Sequence, residues 1–186
     1  MTIVYEQKYQ SQDGLIGPIL LTSEIIWITN EAVMTEIKED RPTLRIGHVV
    51  LKMRDLEKAK SFYRDILGLK ITEERKGFGV FFRFEEYHHD IAVFKVDDDA
   101  PAPAENQVGL SHLALVTDNL DAVKAMYARL VAHDVPIVRT VDHGVTKSVY
   151  FKDPEGNELE IYCDVPEKPW REVDTIIKAD HIDLAT

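Results

Sequence analysis

From Leu44 onward, short runs of alternating apolar and polar residues are interrupted by two helical stretches, and the order of these runs occurs twice. Residues 46–52 are rich in β-branched side chains and predict a strand. Leu56, Ala59, Phe62, Tyr63 and Ile66 then recur at helical spacing behind Asp55, whose carboxylate can cap free amides. Gly68 is placed to end that helix. Strands are expected over 70–74, 79–84 and 90–96, followed by an acidic, proline-containing linker over 97–104. The order then returns. A strand is expected over 111–116, a helix from Asn119 to Ala132, and strands near Ile137, over 147–151 and over 157–163.

Both ends read differently. Residues 1–40 hold no period and have no counterpart in the repeat. Residues 1–33 are expected to be an upstream extension, either disordered or an added strand, with Met34 able to serve as a start. The tail, 165–186, carries Pro166 and Pro169 and predicts a short helix over 173–179 with a packing or capping role.

Aligning His48 with His112 puts residues 48–63 in register with 112–127, with five identities: His48/His112, Leu51/Leu115, Leu56/Leu120, Lys60/Lys124 and Tyr63/Tyr127. Farther on, residues 90–94 lie against 158–162. The expected fold is therefore α+β, with two β-α-β-β-β modules, 44–97 and 109–164, inside one domain over 41–164 and packed about an approximate two-fold. The modules are expected to form a cupped mixed sheet.

Period-two alternation separates two faces on each strand. Leu113 and Leu115 oppose His112. Val149 and Phe151 oppose Tyr150, and Leu159 and Ile161 oppose Glu160. His48, His112, Tyr150 and Glu160 are thus expected to face a common cavity, with helices against the greasy face. Polar groups in a cavity need partners, and a metal supplies one. The histidine is kept in both modules, whereas the closing carboxylate, Glu160, is Ala92 in the first. Two histidines and one glutamate suit ferrous iron with open coordination positions. The turn 153–157 (Asp-Pro-Glu-Gly-Asn) is explained by hairpin chemistry alone.

Composition narrows the function. The chain has 186 residues, enough for one domain with a sizeable core. Its net charge of -11 argues against sequence-independent nucleic-acid binding and against anionic membranes. A single cysteine, Cys163, excludes an internal disulfide and thiolate metal sites, and it points to a reducing, cytoplasmic compartment. No stretch reaches the ~20 apolar residues of a membrane span. The nearest, 15–28, is broken by Pro18 and Glu24 and lacks the flanks of a signal peptide.

These residues resemble the vicinal-oxygen-chelate superfamily, which includes glyoxalase I, fosfomycin- and bleomycin-resistance proteins and type I extradiol dioxygenases. The resemblance spans about 44–164, and 150–161 (Tyr-Phe-Lys-Asp-Pro-Glu-Gly-Asn-Glu-Leu-Glu-Ile) is its most recognisable stretch. Similarity to glyoxalase I would call for a fourth ligand where Ala92 stands. Bleomycin-resistance proteins bind without metal and have no need of the ligand set. Fosfomycin-resistance enzymes also use two histidines and a glutamate. The sequence most resembles the extradiol (catechol 2,3-type) dioxygenases. His88-His89-Asp90-Ile91-Ala92 is similar to the segment that carries their acid-base histidine. His143 and Tyr150, ten residues before Glu160, resemble their second histidine and their tyrosine, with the His143–Tyr150 gap about two residues shorter.

The resemblance implies an Fe(II) enzyme, with Mn(II), Ni(II) or Zn(II) as alternatives, in which His48, His112 and Glu160 are ligands. It would insert both atoms of O2 into a catechol-type aromatic diol. Tyr150 would take or share the diol's proton, His143 would hydrogen-bond its oxygen, and His89 would act as acid. Strict alternation favours His88 over His89 on Ala92's face, but the start of a strand does not enforce alternation, and His89 is the residue expected in the site. A homodimer is also implied. A metal-dependent lyase or isomerase, a thiol transferase, or a non-catalytic binding protein of the same fold are the alternatives.

Overall fold

Asp55 and Asn119 occupy the same place in the two repeats and do the same work in the computed structural model, which describes residues 43–104, 106–176 and 178–185. The Asp55 carboxylate accepts from the amides of Glu57 (2.9 Å) and Lys58 (3.2 Å). The Asn119 side-chain oxygen accepts from Ala122 N at 3.0 Å. Each satisfies amides that a helix start leaves unpaired.

The first module runs β1 (Val49–Met53), α1 (Leu56–Ala59), β2 (Lys70–Arg75), β3 (Gly79–Arg83) and β4 (Ile91–Lys95). Helix α1 continues into a wider π-helical stretch, Lys60–Ile66, and the chain leaves it through Gly68 at φ +85°. The second module runs β5 (Leu113–Val116), α2 (Leu120–Ala132), β6 (Ile137–Asp142), β7 (Thr146–Lys152) and β8 (Glu158–Asp164). The expected β-α-β-β-β order is therefore present twice, with boundaries moved by one to three residues.

The strands form two mixed sheets rather than one, ordered β1-β4-β3-β2 and β5-β8-β7-β6-β9. In each, the first and last strands of the module pair in parallel: Val50 with Ala92, and Ala114 with Glu160. The remaining pairs are antiparallel.

The tail corrects one expectation. A short 3₁₀ turn occupies Trp170–Glu172, and Asp180–His181 forms β9 on the outer edge of β6. No helix covers the described part of 173–179. Pairing with β6 covers an edge otherwise open to other chains, and Leu184 is carried into the core, 4% exposed. The expectations for 1–40, including the start at Met34, lie outside the described residues.

One core serves both modules. Leu51, Met53, Phe82, Ile91 and Val93 from the first sheet join Val149, Phe151, Leu159 and Ile161 from the second, with Leu56, Ala59, Phe62 and Tyr63 of the first helical segment among them. Each large side chain so buried contributes roughly 1.5–3 kcal/mol. Arg129 on α2 adds a polar tie, donating to the carbonyls of Ile66 and Asp65 at 2.6 Å each. Those carbonyls lie at the end of the first helical segment, where acceptors lack partners within the helix. With the greasy faces turned to this core, the other face of each sheet is left for chemistry. No helix among the described residues is long and apolar enough to cross a membrane.

Candidate functional site

On the second sheet, strand register gathers the polar residues. Tyr150 lies directly across from Glu160 on the β7–β8 pair, and Glu160 follows Leu159, the partner of Leu113. His112, just before β5, brings its Nε2 to 3.2 Å from Glu160 Oε2. The His112 ring stands edge-on to that of Tyr150, with centroids 5.4 Å apart. Glu160 is 7% exposed and Tyr150 4% exposed, so each is largely cut off from water.

His143 extends the group. Its Nδ1 faces the carbonyl of Lys178, and its Nε2 lies 3.0 Å from the Tyr150 hydroxyl. A carbonyl only accepts, so Nδ1 carries a proton, and in the uncharged tautomer this leaves Nε2 able to accept from the Tyr150 hydroxyl. Burial, reinforced by the adjacent Glu160 carboxylate and partly offset by Arg139, pushes the Tyr150 phenol up to about 12. It is a neutral donor across the physiological range.

Arg139 was not foreseen. Its guanidinium carbon sits 3.7 Å from the Tyr150 ring centroid, and its Nη2 pairs with Glu158 at 2.8 Å. Strict alternation from Ile137 would turn Arg139 toward the core. A register shift between Ile137 and Arg139 instead sets it opposite Tyr150. A lone arginine in an otherwise apolar stretch was the available signal.

The first sheet carries the other predicted residues. His48 precedes β1, and the His89 ring lies 4.4 Å from it and 5.3 Å from Phe81. His88 packs instead against Tyr87 at 4.1 Å. Alternation fails because the segment between β3 and β4 is not strand: Asp90 turns it, accepting from Phe84 N at 2.8 Å. His88 and His89 bring their Nδ1 atoms to 2.6 Å, so one must donate and the other accept. Burial, then the neighbouring His48 and His88 charges, hold His89 below the ordinary histidine range. Ala92, opposite Phe81, is fully buried and offers no donor.

The six predicted residues thus form two groups, His112–Glu160–Tyr150–His143 and His48–His89. Among the described residues of one chain, no three His, Cys, Asp or Glu converge as a metal shell. The donor chemistry of His112 and Glu160, an imidazole nitrogen beside a buried carboxylate, suits two positions of a divalent cation. The free edges of β1 and β5 approach a shared cavity of about 1270 Å³, lined by Val50, Lys52, His112 and Arg139 among others.

Comparison with known proteins agrees with this architecture. Residues 45–161 match the model of the Glyoxalase/Bleomycin resistance protein/Dioxygenase superfamily. The chain is 29% identical over 143 residues to the catechol-2,3-dioxygenase of Bacillus subtilis (strain 168), covering 74% of this chain and 47% of that protein. It is 32% identical over 123 residues to biphenyl-2,3-diol 1,2-dioxygenase 3 of Rhodococcus globerulus, covering 66% and 64% respectively. The chain thus spans about half to two-thirds of the length of these relatives. Among solved structures, lactoylglutathione lyase from Agrobacterium tumefaciens superposes with a TM-score of 0.53 at 28% identity, over 66% of this chain and 96% of that one.

Proposed function

The chain belongs to the glyoxalase/bleomycin resistance protein/dioxygenase superfamily, and from that premise we propose that it is an Fe(II)-dependent extradiol dioxygenase acting on a catechol-type aromatic diol. The observation that carries this reading is the buried Tyr150 phenol, hydrogen-bonded to His143 beside the His112–Glu160 pair. Similarity to two proteins named as ring-diol dioxygenases supports it.

In this reading His112 and Glu160 would hold the metal, with His48 as the third ligand. When bound, iron(II) would supply Lewis acidity that lowers the pKa of the diol, and redox activity for the reaction with O2. The chain's own residues handle protons and orientation. Tyr150, kept neutral, hydrogen-bonds one diol oxygen and shares its proton, and His143 Nε2 accepts what Tyr150 passes on. The Lys178 carbonyl holds the His143 tautomer that makes this relay run in one direction. His89, held below the ordinary histidine range and so ready to accept, would take up the diol's second proton and return it where the cleaved ring is protonated. Both oxygen atoms enter the ring-opened product, so no external reductant is consumed. A homodimer in a cytoplasmic setting accompanies this reading.

The test is direct. Anaerobically prepared Fe(II) protein is mixed with a panel of catechols in air-saturated buffer, and the yellow ring-cleavage product is followed by absorbance. Absence of turnover across the panel, with stoichiometric iron bound, overturns the proposal.

Structural likeness to a lactoylglutathione lyase supports a second reading, a Lewis-acid lyase or isomerase using Ni(II), Zn(II) or Mn(II). Ala92 counts against it, since the first module offers no carboxylate to match Glu160. Metal analysis after native expression separates the two.

A further inference from the structure

The cavity beside His112 carries the opposite charge from the molecule around it. The chain as a whole has 33 acidic and 22 basic residues, a net charge of -11. The cavity is lined by four permanent cations, Lys52, Arg54, Arg139 and Lys152, against two carboxylates, Glu155 and Glu158. Both carboxylates are already engaged. Glu155 grips Arg54 at 2.5–2.6 Å, and Glu158 pairs with Arg139 at 2.8 Å. That leaves Lys52 and Lys152, neither of which has a carboxylate partner among the described residues. The Lys152 ammonium donates only at 3.5 Å to the Gly156 carbonyl, a weak contact.

Apolar residues, including Val50, Pro101, Leu110 and Val138, form the rest of the wall. A cavity of about 1270 Å³ is far larger than a bare diol ring requires, and two unpaired cations at its wall favour an anionic occupant. Arg139 links this cavity to the chemistry, because the same guanidinium lies over the Tyr150 ring.

We propose that the natural substrate carries a carboxylate or comparable anionic group away from its reacting end, and that Lys52 and Lys152 receive it. The proposal rests on the diol reading only for the reacting end. Its anionic end follows from the cavity.

Binding to the metal-free protein tests this without turnover. Isothermal titration compares 3,4-dihydroxyphenylacetate with its uncharged amide, in wild type and in Lys52→Met and Lys152→Met, both at exposed positions. The acid should bind about tenfold more tightly than the amide, the scale of two favourable charge contacts of about 0.7 kcal/mol each. Each substitution should erase several-fold of that preference without changing amide binding, and added salt should narrow it. Equal affinity for acid and amide, or no detectable binding of the acid at millimolar concentration, overturns the proposal. Ring cleavage of acid and amide with equal kcat/KM would overturn it while leaving the dioxygenase reading intact. Preferential binding without cleavage would do the reverse.

Discussion

The Tyr63 hydroxyl donates a 2.9 Å hydrogen bond to Asp153 Oδ2, joining the helical segment of the first module to the β7–β8 turn of the second, ninety positions away. Tyr63 is fully buried and Asp153 is 4% exposed. Asp153 also orders its own turn: Oδ1 accepts from Glu155 N and Asn157 N, and Oδ2 from the Asn157 side chain, all at 2.9 Å. One carboxylate therefore shapes a hairpin and fastens the two modules together.

Tyr63→Phe should destabilise the protein by about 1.5–3 kcal/mol, the scale of a buried hydrogen bond to a charged acceptor. Urea unfolding at neutral pH measures it, with an unchanged midpoint as the contrary result. Asp153→Ala should cost more, because the turn amides lose their acceptor as well.

Gly79→Ala should be as damaging although it adds only a methyl group. A Cβ there would lie 2.6 Å from the Val93 carbonyl oxygen, a backbone atom of the adjacent strand. Relief requires β3 and β4 to separate, at a cost of about 1–3 kcal/mol. A thermal midpoint within error of wild type would show that the strands yield more easily.

Glu160→Ala and His112→Ala should each lose most bound iron, read by elemental analysis after anaerobic reconstitution. His89→Ala should keep iron and lose turnover. Equal iron loss in all three would contradict the division between ligands and acid-base residues.

Tyr150 predicts a pH effect in the metal-free protein. Its phenol is pushed up to about 12, first by burial and then by Glu160. The folded state therefore holds the proton more tightly than the unfolded chain, where a tyrosine titrates near 10. The corresponding stability is complete below pH ~10 and is lost as pH rises toward about 12. Ultraviolet difference titration of Tyr150→Phe against wild type should remove a component near the upper value. Loss of a component near 10 would show an ordinary, solvated phenol.

Local chemistry made much of the candidate site legible. His112, Tyr150 and Glu160 could be assigned to one face because β5, β7 and β8 keep strict alternation there, and register then sets Tyr150 against Glu160. Arg139 escaped because a bulge on β6 inverts its facing, and a bulge depends on how two strands pair rather than on one strand's pattern. Likewise, His89 rather than His88 lies by His48 because Asp90 bends the segment between them and β4.

The amino-acid sequence by itself determined the repeated β-α-β-β-β order, the Asp55 helix cap and the greasy and polar faces. These depend on residues a few positions apart, where period, capping and turn chemistry act directly. Tertiary structure alone decided that the strands form two sheets around one shared core, that β9 closes the edge of β6, and that Tyr63 meets Asp153. It also decided that His112 and Glu160 stand together while His48 lies beside His89. Such pairings join residues tens of positions apart, and the balance of burial over the whole molecule, not any local preference, selects among them.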